Sequence, residues 1–295
     1  MDEHKDKIFI GIGCCLMAHF LFFIMGVCAK ILVENHHVAE IVFYRNLLAF
    51  FPLLAFIYFR KKTHLFKTKK PRMVMFRAVI GAISLMVTYS ALALLPMAYA
   101  TVLFFTSTIL TPFFSFLILK ENVGIHRWLA VALGMCGVYI IAQPSGNIDT
   151  WGVTLALIAA FIHATMFVTL RHLKTESPVT ISFYFFLAGA IIPGLFMPFV
   201  ANLPAYSEIW LFMLVAASGG IAQIFLANAY KYAPAAIVTP FAYSAIIWSI
   251  MADIIIWHYD LDFKAITIGA GLIITAQLYI LYREYINKEK AKRNA

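Results

Sequence analysis

The first long apolar stretch of the chain, residues 8–33, reads IFIGIGCCLMAHFLFFIMGVCAKILV and contains one charged residue, Lys30. A helix needs about 20 mostly apolar residues to cross the hydrocarbon core of a bilayer. This stretch is longer than the apolar core of a signal peptide and lacks a clean cleavage site. We therefore expect it to be a retained transmembrane helix.

The overall composition agrees with a membrane protein. Hydrophobic residues make up 63% of the 295 residues and charged residues only 13%, whereas soluble proteins contain about 25% charged residues. This composition excludes a soluble globular enzyme, a disordered tail and a disulfide scaffold. The four cysteines lie within apolar runs and lack metal-ligand spacing, so we predict neither a metal site nor a cofactor.

Nine more apolar segments follow, and proline, glycine, asparagine or charged residues occur in each gap. The ten predicted spans are 8–33, 38–59, 73–95, 97–119, 124–143, 151–171, 178–200, 208–230, 234–257 and 263–283. They are apolar on nearly all sides and lack the alternation of barrel strands, so they are interpreted as helices. The sequence thus predicts an all-α polytopic membrane protein with ten transmembrane helices.

Lysine and arginine predict the orientation, because the cytoplasmic loops of membrane proteins are enriched in both. With a cytoplasmic N-terminus, 19 of the 23 Lys and Arg residues lie on the cytoplasmic side, and only Lys264 lies in an outer loop. The longest loop, residues 60–72, reads RKKTHLFKTKKPR and is then cytoplasmic. Both termini are predicted to be cytoplasmic. The net charge of +9 is therefore explained by topology and not by a nucleic-acid partner.

The two halves of the chain, residues 1–143 and 144–295, resemble each other at an offset of about 140 residues. The equivalent pairs include Gly81 with Gly219, Phe43-Tyr44 with Phe183-Tyr184, and Lys30 with Arg171. Each half contains five predicted spans. Because five is odd, the second half is expected to enter the membrane inverted. Inverted repeats are typical of secondary transporters, which bind substrate near the membrane midplane between the repeats.

Several motifs match one family. The second span contains EIVFYRNLLAF at residues 40–50, and the third and fourth spans meet in YSALALLPMAYATVLFFTSTILTP at residues 89–112. LKEN with Glu121 and a glycine-rich fifth span (Gly134, Gly137) follow. Together with the ten spans in two repeats, these motifs resemble the drug/metabolite transporter superfamily, EamA type, and are similar to those of bacterial S-adenosylmethionine uptake transporters.

The resemblance implies a midplane cavity lined by spans 1, 3, 4, 6, 8 and 9. The second half departs from the family pattern, because Trp257-His258-Tyr259 stands where a Gly-Glu pair is frequent. A matched acidic residue is therefore not expected there.

Two histidines lie near the middle of equivalent helices, His19 in the first span and His163 in the sixth. One interpretation is a substrate contact or a proton-coupling group, because histidine titrates near neutral pH. The alternative is a neutral structural histidine that is hydrogen-bonded to a backbone carbonyl.

Three further ionisable residues lie in or near spans, where charge is costly. Glu40 and Arg45 of the second span are candidates for substrate coupling or for a charge pair, and their repeat counterparts are uncharged. For Glu40 the alternative is a favourable position beside a helix N-terminus. Arg45 lies deeper and should need an anionic or carbonyl partner. Asp253 is expected to balance a cation or to pair with Arg45 or a histidine, and the alternative is a structural ion pair.

Aromatic and hydroxyl side chains predict one wall of a substrate cavity. Pro240 removes a backbone donor from the ninth span, which frees a carbonyl near membrane depth. The candidate substrate-binding residues are His19, Tyr89, Tyr99, Phe105, Thr106, His163, Pro240, Tyr243 and Trp248. For any single aromatic residue among them, the alternative is contact with lipid or with a neighbouring helix.

The chain lacks HExxH, GxSxG, P-loop and CxxC motifs, so no catalytic residues and no ATP-driven transport are predicted. We expect a multi-pass secondary transporter in the bacterial inner membrane that moves a small organic metabolite by alternating access. The favoured substrate is cationic or zwitterionic, S-adenosylmethionine above others. The expected partners are this substrate, the lipid bilayer, and a coupling proton or exchanged metabolite. Alternatives are an exporter of amino acids or amphipathic drugs and, less favoured, a membrane enzyme or channel.

Overall fold

A computed structural model describes residues 2–61, 66–119, 125–142, 148–173, 176–200, 202, 204–232 and 241–293. These residues are predominantly helical and contain no β-strand. The helices are α1 (Asp2–Val33), α2 (Val38–Phe59), α3 (Pro71–Leu94), α4 (Met97–Leu119), α5 (Ile125–Ala142), α6 (Thr150–His172), α7 (Pro178–Gly194), α8 (Met197–Val200), α9 (Ile209–Tyr232), α10 (Ser244–Ile255) and α11 (Phe263–Arg293).

The helices occur at the positions that the apolar segments predict. Five described helices, α1, α2, α3, α6 and α9, contain stretches long and apolar enough to cross a bilayer. Five shorter apolar helical segments lie in α4, α5, α7, α10 and α11. The all-helical fold is therefore confirmed, whereas ten crossings, the inverted repeat and cytoplasmic termini stay predictions.

One span differs from its prediction. Residues 178–200 form two helices, because α7 ends at Gly194 and the four-residue α8 begins at Met197. Pro193 and Gly194 are the poorest helix formers and stand together at this end. The first residues of the predicted ninth span, including Pro240, lie outside the described residues.

Acidic side chains fix the start of two helices. The Asp149 carboxylate accepts a hydrogen bond of 2.8 Å from the backbone N–H of Trp151 at the start of α6. Asp262 accepts one of 3.0 Å from the N–H of Lys264 at the start of α11. Helix N-termini leave unpaired N–H groups, so these short side chains favour helix initiation at those points.

The helix packing repeats when the two halves are exchanged. By chain order, α1, α2, α3, α4 and α5 correspond to α6, α7, α9, α10 and α11. The helix α1 packs on α9, and the corresponding α6 packs on α3. In the same way α2 packs on α9 and α7 packs on α3, while the pairs α2–α7, α4–α10 and α5–α11 map onto themselves. The contacts thus follow the two-repeat pattern of the sequence.

Glycines allow α5 and α11 to approach closely. A Cβ added at Gly137 would lie 2.6 Å from the carbonyl oxygen of Gly269, and one added at Gly269 would lie 2.8 Å from the carbonyl oxygen of Gly137. Small residues of this kind promote helix association in membranes, where burial of apolar surface supplies no driving force.

Candidate substrate site

Two arginines from different helices meet on one aromatic ring. The guanidinium carbons of Arg45 in α2 and Arg77 in α3 lie 5.6 and 5.7 Å from the ring centroid of Phe185 in α7. Arg45 is only 2% exposed, and the Nε and Nη1 atoms of Arg77 are also buried. Two positive charges are therefore buried at a contact of three helices, which is costly unless they are paired.

Arg45 has partial compensation. Its Nη1 donates a hydrogen bond of 2.9 Å to Oδ1 of Asn46, and the guanidinium interacts with the fully buried Tyr89 of α3. Its Nε has no hydrogen-bond partner among the described residues. The sequence predicts an anionic or carbonyl partner for Arg45, and the amide carbonyl of Asn46 is one such partner.

Arg77 has less compensation. In the part of the chain that the structure describes, its Nε and Nη1 have no hydrogen-bond partner. No described carboxylate forms a salt bridge with Arg45 or Arg77. His163 of α6 is close enough to Arg77 for an electrostatic interaction, but both groups are basic. The cluster therefore carries net positive charge in a region where charge is expensive.

The two halves of the chain place a glycine beside Arg45 in one half and beside Phe185 in the other. A Cβ at Gly219 of α9 would lie 3.0 Å from Nη2 of Arg45. A Cβ at Gly81 of α3 would lie 2.7 Å from the Phe185 ring. Gly81 and Gly219 are equivalent in the two halves, and so are Arg45 and Phe185. The same glycine-to-side-chain contact therefore occurs twice, with arginine in one half and phenylalanine in the other.

The two predicted histidines lie in different surroundings. Nδ1 of His19 lies 3.0 Å from the backbone oxygen of Cys15 in the preceding turn of α1. This is the geometry of the structural alternative. His163 lies 3.5 Å, through Nε2, from Oγ1 of Thr88, and its ring contacts Phe104 edge-on. A role in binding or coupling stays a prediction for both.

A second polar cluster lies at the end of the bundle that is predicted to face outward. Nε2 of His36 donates a hydrogen bond of 2.9 Å to Glu208, which immediately precedes α9. Nδ1 of His36 lies 3.1 Å from the carboxylate of Glu40 in the first turn of α2, and the backbone N–H of Asn202 donates to the same carboxylate at 3.3 Å. Glu40 is fully buried.

Burial disfavours protonation of His36, but hydrogen bonds and charge interactions with Glu208 and Glu40 outweigh it and raise the pKa of this imidazole. His36 thus joins α2 to the start of α9 most strongly when it is protonated.

Asp253 supports a helix start, and among the described residues it pairs with neither a histidine nor Arg45. Its two carboxylate oxygens accept hydrogen bonds from the backbone N–H groups of Met97 at 2.8 Å and Ala98 at 2.7 Å, at the start of α4. Lys30 interacts electrostatically with Asp253 and donates a hydrogen bond to the carbonyl of Leu95. Lys30 is thus the candidate cation for Asp253, and a role of Asp253 in balancing a cation stays a prediction.

Lys30 also lies over two aromatic rings. Its Nζ is 5.1 Å from the centroid of Trp257 and 5.2 Å from that of Tyr259. These are the residues at which the second half departs from the family pattern. Together with Glu34 they border a cavity of about 240 Å³.

The predicted aromatic wall is partly assembled. Tyr243 is 8% exposed, and its ring lies 4.9 Å from Phe105 of α4. Trp248 of α10 contacts Phe20 of α1, with ring centroids 5.2 Å apart. Thr106 of α4 is buried, and its hydroxyl has no hydrogen-bond partner in the described ranges.

The hydroxyl of Tyr99 has a partner that the sequence does not predict. Its hydroxyl accepts a hydrogen bond of 3.1 Å from the backbone N–H of Asp262, so it holds the loop before α11. Tyr89 adjoins Arg45 and so lies in the arginine cluster. A role in substrate binding stays a prediction for both tyrosines.

Sequence reasoning missed four residues of these clusters: Arg77, Phe185, His36 and Glu208. A charge six residues from the start of α3 is a usable signal for Arg77, because intramembrane charge is rare. The other three have no comparable signal, since aromatic residues are abundant here and loop charges are ordinary.

Comparison with known proteins identifies the family. Residues 9–143 and 150–282 each match the EamA-like transporter family. An S-adenosylmethionine uptake transporter of Rickettsia bellii is 26% identical over 96% of this chain and 97% of its own length. A riboflavin transporter of Rhizobium johnstonii is 30% identical over 76% of this chain and 74% of its own.

A solved crystal structure is similar in fold, with a TM-score of 0.62 and 17% identity over 94% of this chain and 96% of the other. The matched family segments cover most of the chain and include one stretch in each half. The protein is therefore a small-molecule transporter of the membrane and not an enzyme, and it belongs to the EamA-like transporter family.

Proposed function

We propose that the protein is a secondary transporter that moves a zwitterionic organic metabolite, S-adenosylmethionine being the first candidate, across the bacterial inner membrane by alternating access. The observation that carries this proposal is the buried arginine cluster at the contact between the two halves. There, α2 and α3 of the first half meet α7 and α9 of the second. Transporters of inverted-repeat architecture bind their substrates at such a position.

The exchange of halves suggests how access alternates. The contact between α2 and α9 is equivalent to the contact between α7 and α3. If one of these contacts opens while the other closes, the protein passes between two conformations with similar packing. In the described state, the His36 cluster ties α2 to the residue before α9 at the outer end. Opening to the outside then requires this tie to break. Domains 1–143 and 144–295 are the proposed moving units.

The residues around the arginine cluster favour a substrate that has both an anionic group and a planar apolar group. Guanidinium groups hold a carboxylate bidentately, and the Phe105–Tyr243 ring pair offers an apolar and aromatic surface to a planar group. A purely cationic substrate is disfavoured, because it would add positive charge to an already positive cluster. The similarity to an S-adenosylmethionine uptake transporter and to a riboflavin transporter supports a metabolite with a ring system.

Uptake by reconstituted protein tests this proposal. Purified protein in proteoliposomes should accumulate labelled S-adenosylmethionine saturably, and an excess of unlabelled compound should compete. Empty liposomes are the control. Reversing the substrate gradient distinguishes uptake from the exporter alternative. Unitary currents without saturation would indicate a channel, and chemical conversion of the compound would indicate an enzyme, so either result would contradict the proposal.

A further inference from the structure

We infer that Arg45 and Arg77 together form the subsite that binds an anionic group of the substrate, a carboxylate above all. This inference rests on the proposed function and specifies the chemistry of its site. It requires a substrate whose anionic group enters between the helices that carry the two arginines.

The charge of the cluster is the first argument. A guanidinium has five N–H donors and remains charged in a protein. The partners of Arg45 are the uncharged side chains of Asn46 and Tyr89, and Nε and Nη1 of Arg77 make no hydrogen bond to the described residues. In a protein interior, such donors normally face an anion or several oxygens. A carboxylate of the substrate would supply both the negative charge and the missing acceptors.

The position of the pair is the second argument. Arg45 lies seven residues from the start of α2 and Arg77 six residues from the start of α3. Both guanidinium carbons nevertheless lie 5.6 and 5.7 Å from the centroid of the Phe185 ring, so the two arginines approach the same side chain from different helices. Each arginine gains a cation–π contact with Phe185, but this contact supplies neither a hydrogen-bond acceptor nor a negative charge, and the two like charges repel each other. A shared anion turns the repulsion into attraction.

The asymmetry of the repeat is the third argument. The position equivalent to Arg45 is Phe185, and both occupy the same kind of groove beside a glycine. Packing therefore requires only a bulky side chain at this position, as Phe185 demonstrates. The arginine adds charge that the fold does not need, which is the expectation for a binding residue.

Matched ligand pairs that differ in the carboxylate test this inference. The pairs are S-adenosylmethionine with its decarboxylated form, phenylalanine with phenethylamine, and benzoate with benzamide. Binding is titrated through the rise in melting temperature of the purified protein, because a ligand of the folded state stabilises it. We expect at least one carboxylate to bind about tenfold or more tightly than its partner, as charge-assisted hydrogen bonds predict.

Substitutions of Arg77 test whether the preference for carboxylate ligands arises from the arginine cluster. Arg77→Gln should abolish the preference for the carboxylate, and Arg77→Lys should retain part of it, because lysine keeps the charge but not the bidentate geometry. Should Arg77→Gln fail to fold, Arg77→Lys still decides. The matched control is Arg72→Gln, which removes an exposed arginine from the first turn of the same helix and should leave the preference unchanged.

The outcomes separate this inference from the proposed function. Equal binding within every pair, or no binding of any carboxylate including benzoate, overturns the anion subsite even if uptake is observed. A carboxylate preference of undiminished size in Arg77→Gln or in Arg77→Lys overturns it as well. A preference that the Arg77 variants lose, without saturable uptake of any compound, supports the subsite and contradicts the transport proposal.

Discussion

A single methyl group at the contact of α5 and α11 should measurably destabilise the protein. In Gly137→Ala the new Cβ would lie 2.6 Å from the carbonyl oxygen of Gly269 and 3.1 Å from side-chain carbons of Leu272 and Ile273. Ordinary contact begins at 3.4 Å. The two helices must therefore separate by roughly 0.8 Å, since the nearest obstacle is backbone and cannot rotate away.

The expected cost follows from overpacking. Forcing an additional carbon into a packed contact costs about 1–3 kcal/mol. Alanine offsets up to about 1 kcal/mol of this through its better helix propensity. Gly271→Ala is the matched control, because a Cβ added at Gly271 in α11 would have no atom within 4 Å beyond its chain neighbours and the backbone of its own helix. The control has the propensity gain without the clash, so the two variants should differ by about 1–3 kcal/mol.

Thermal unfolding in one detergent at one scan rate compares the two variants. At about 2–4 °C per kcal/mol for chains of this size, Gly137→Ala should melt several degrees below Gly271→Ala. Equal melting temperatures of the two variants would refute the close approach of α5 and α11. They would also contradict the packing of these two helices, which are equivalent in the two halves.

Three more outcomes are expected. His36→Gln should lower the melting temperature at pH 5.5 more than at pH 8.5. Because the pKa of His36 is raised, its stabilisation by Glu40 and Glu208 is full below the ordinary pKa of about 6.5 and is lost as pH rises through the raised pKa. An equal loss at both pH values would contradict this prediction. A cysteine at position 68 (Thr68→Cys) should resist an impermeant thiol reagent in intact cells of a variant lacking the native cysteines, since the loop is predicted to be cytoplasmic, and labelling from outside would overturn the topology. Tyr243→Ala should weaken substrate binding about tenfold, as loss of one aromatic contact of about 1.4 kcal/mol implies, while Tyr243→Phe should lose less if stacking dominates; unchanged affinity in both variants would remove this residue from the site.

Much of the candidate site could be expected from sequence, because intramembrane polar residues are few. Arg45 and His163 were found in this way and lie in or beside the arginine cluster. The same reasoning predicts that Tyr99 contacts the substrate, but it does not predict that the Tyr99 hydroxyl accepts a hydrogen bond from the loop before α11. Residue type and depth indicate that a side chain needs a partner, but they do not identify the partner.

The sequence by itself determined the helices and the duplication. Apolar length, together with caps such as Asp149 and Asp262, is a local property, so it specifies where helices begin and end without knowledge of their neighbours. The offset between Gly81 and Gly219 likewise predicted which positions are equivalent.

Only the tertiary structure decided which side chains meet. His36 and Glu208 are separated by 172 positions, and Arg77 reaches Phe185 from a different half of the chain. No local pattern encodes such meetings, because they depend on which helix faces pack and on how closely glycines let the backbones approach. The contact of the buried Arg45 and the partly buried Arg77 with one ring is therefore a consequence of packing between the two halves.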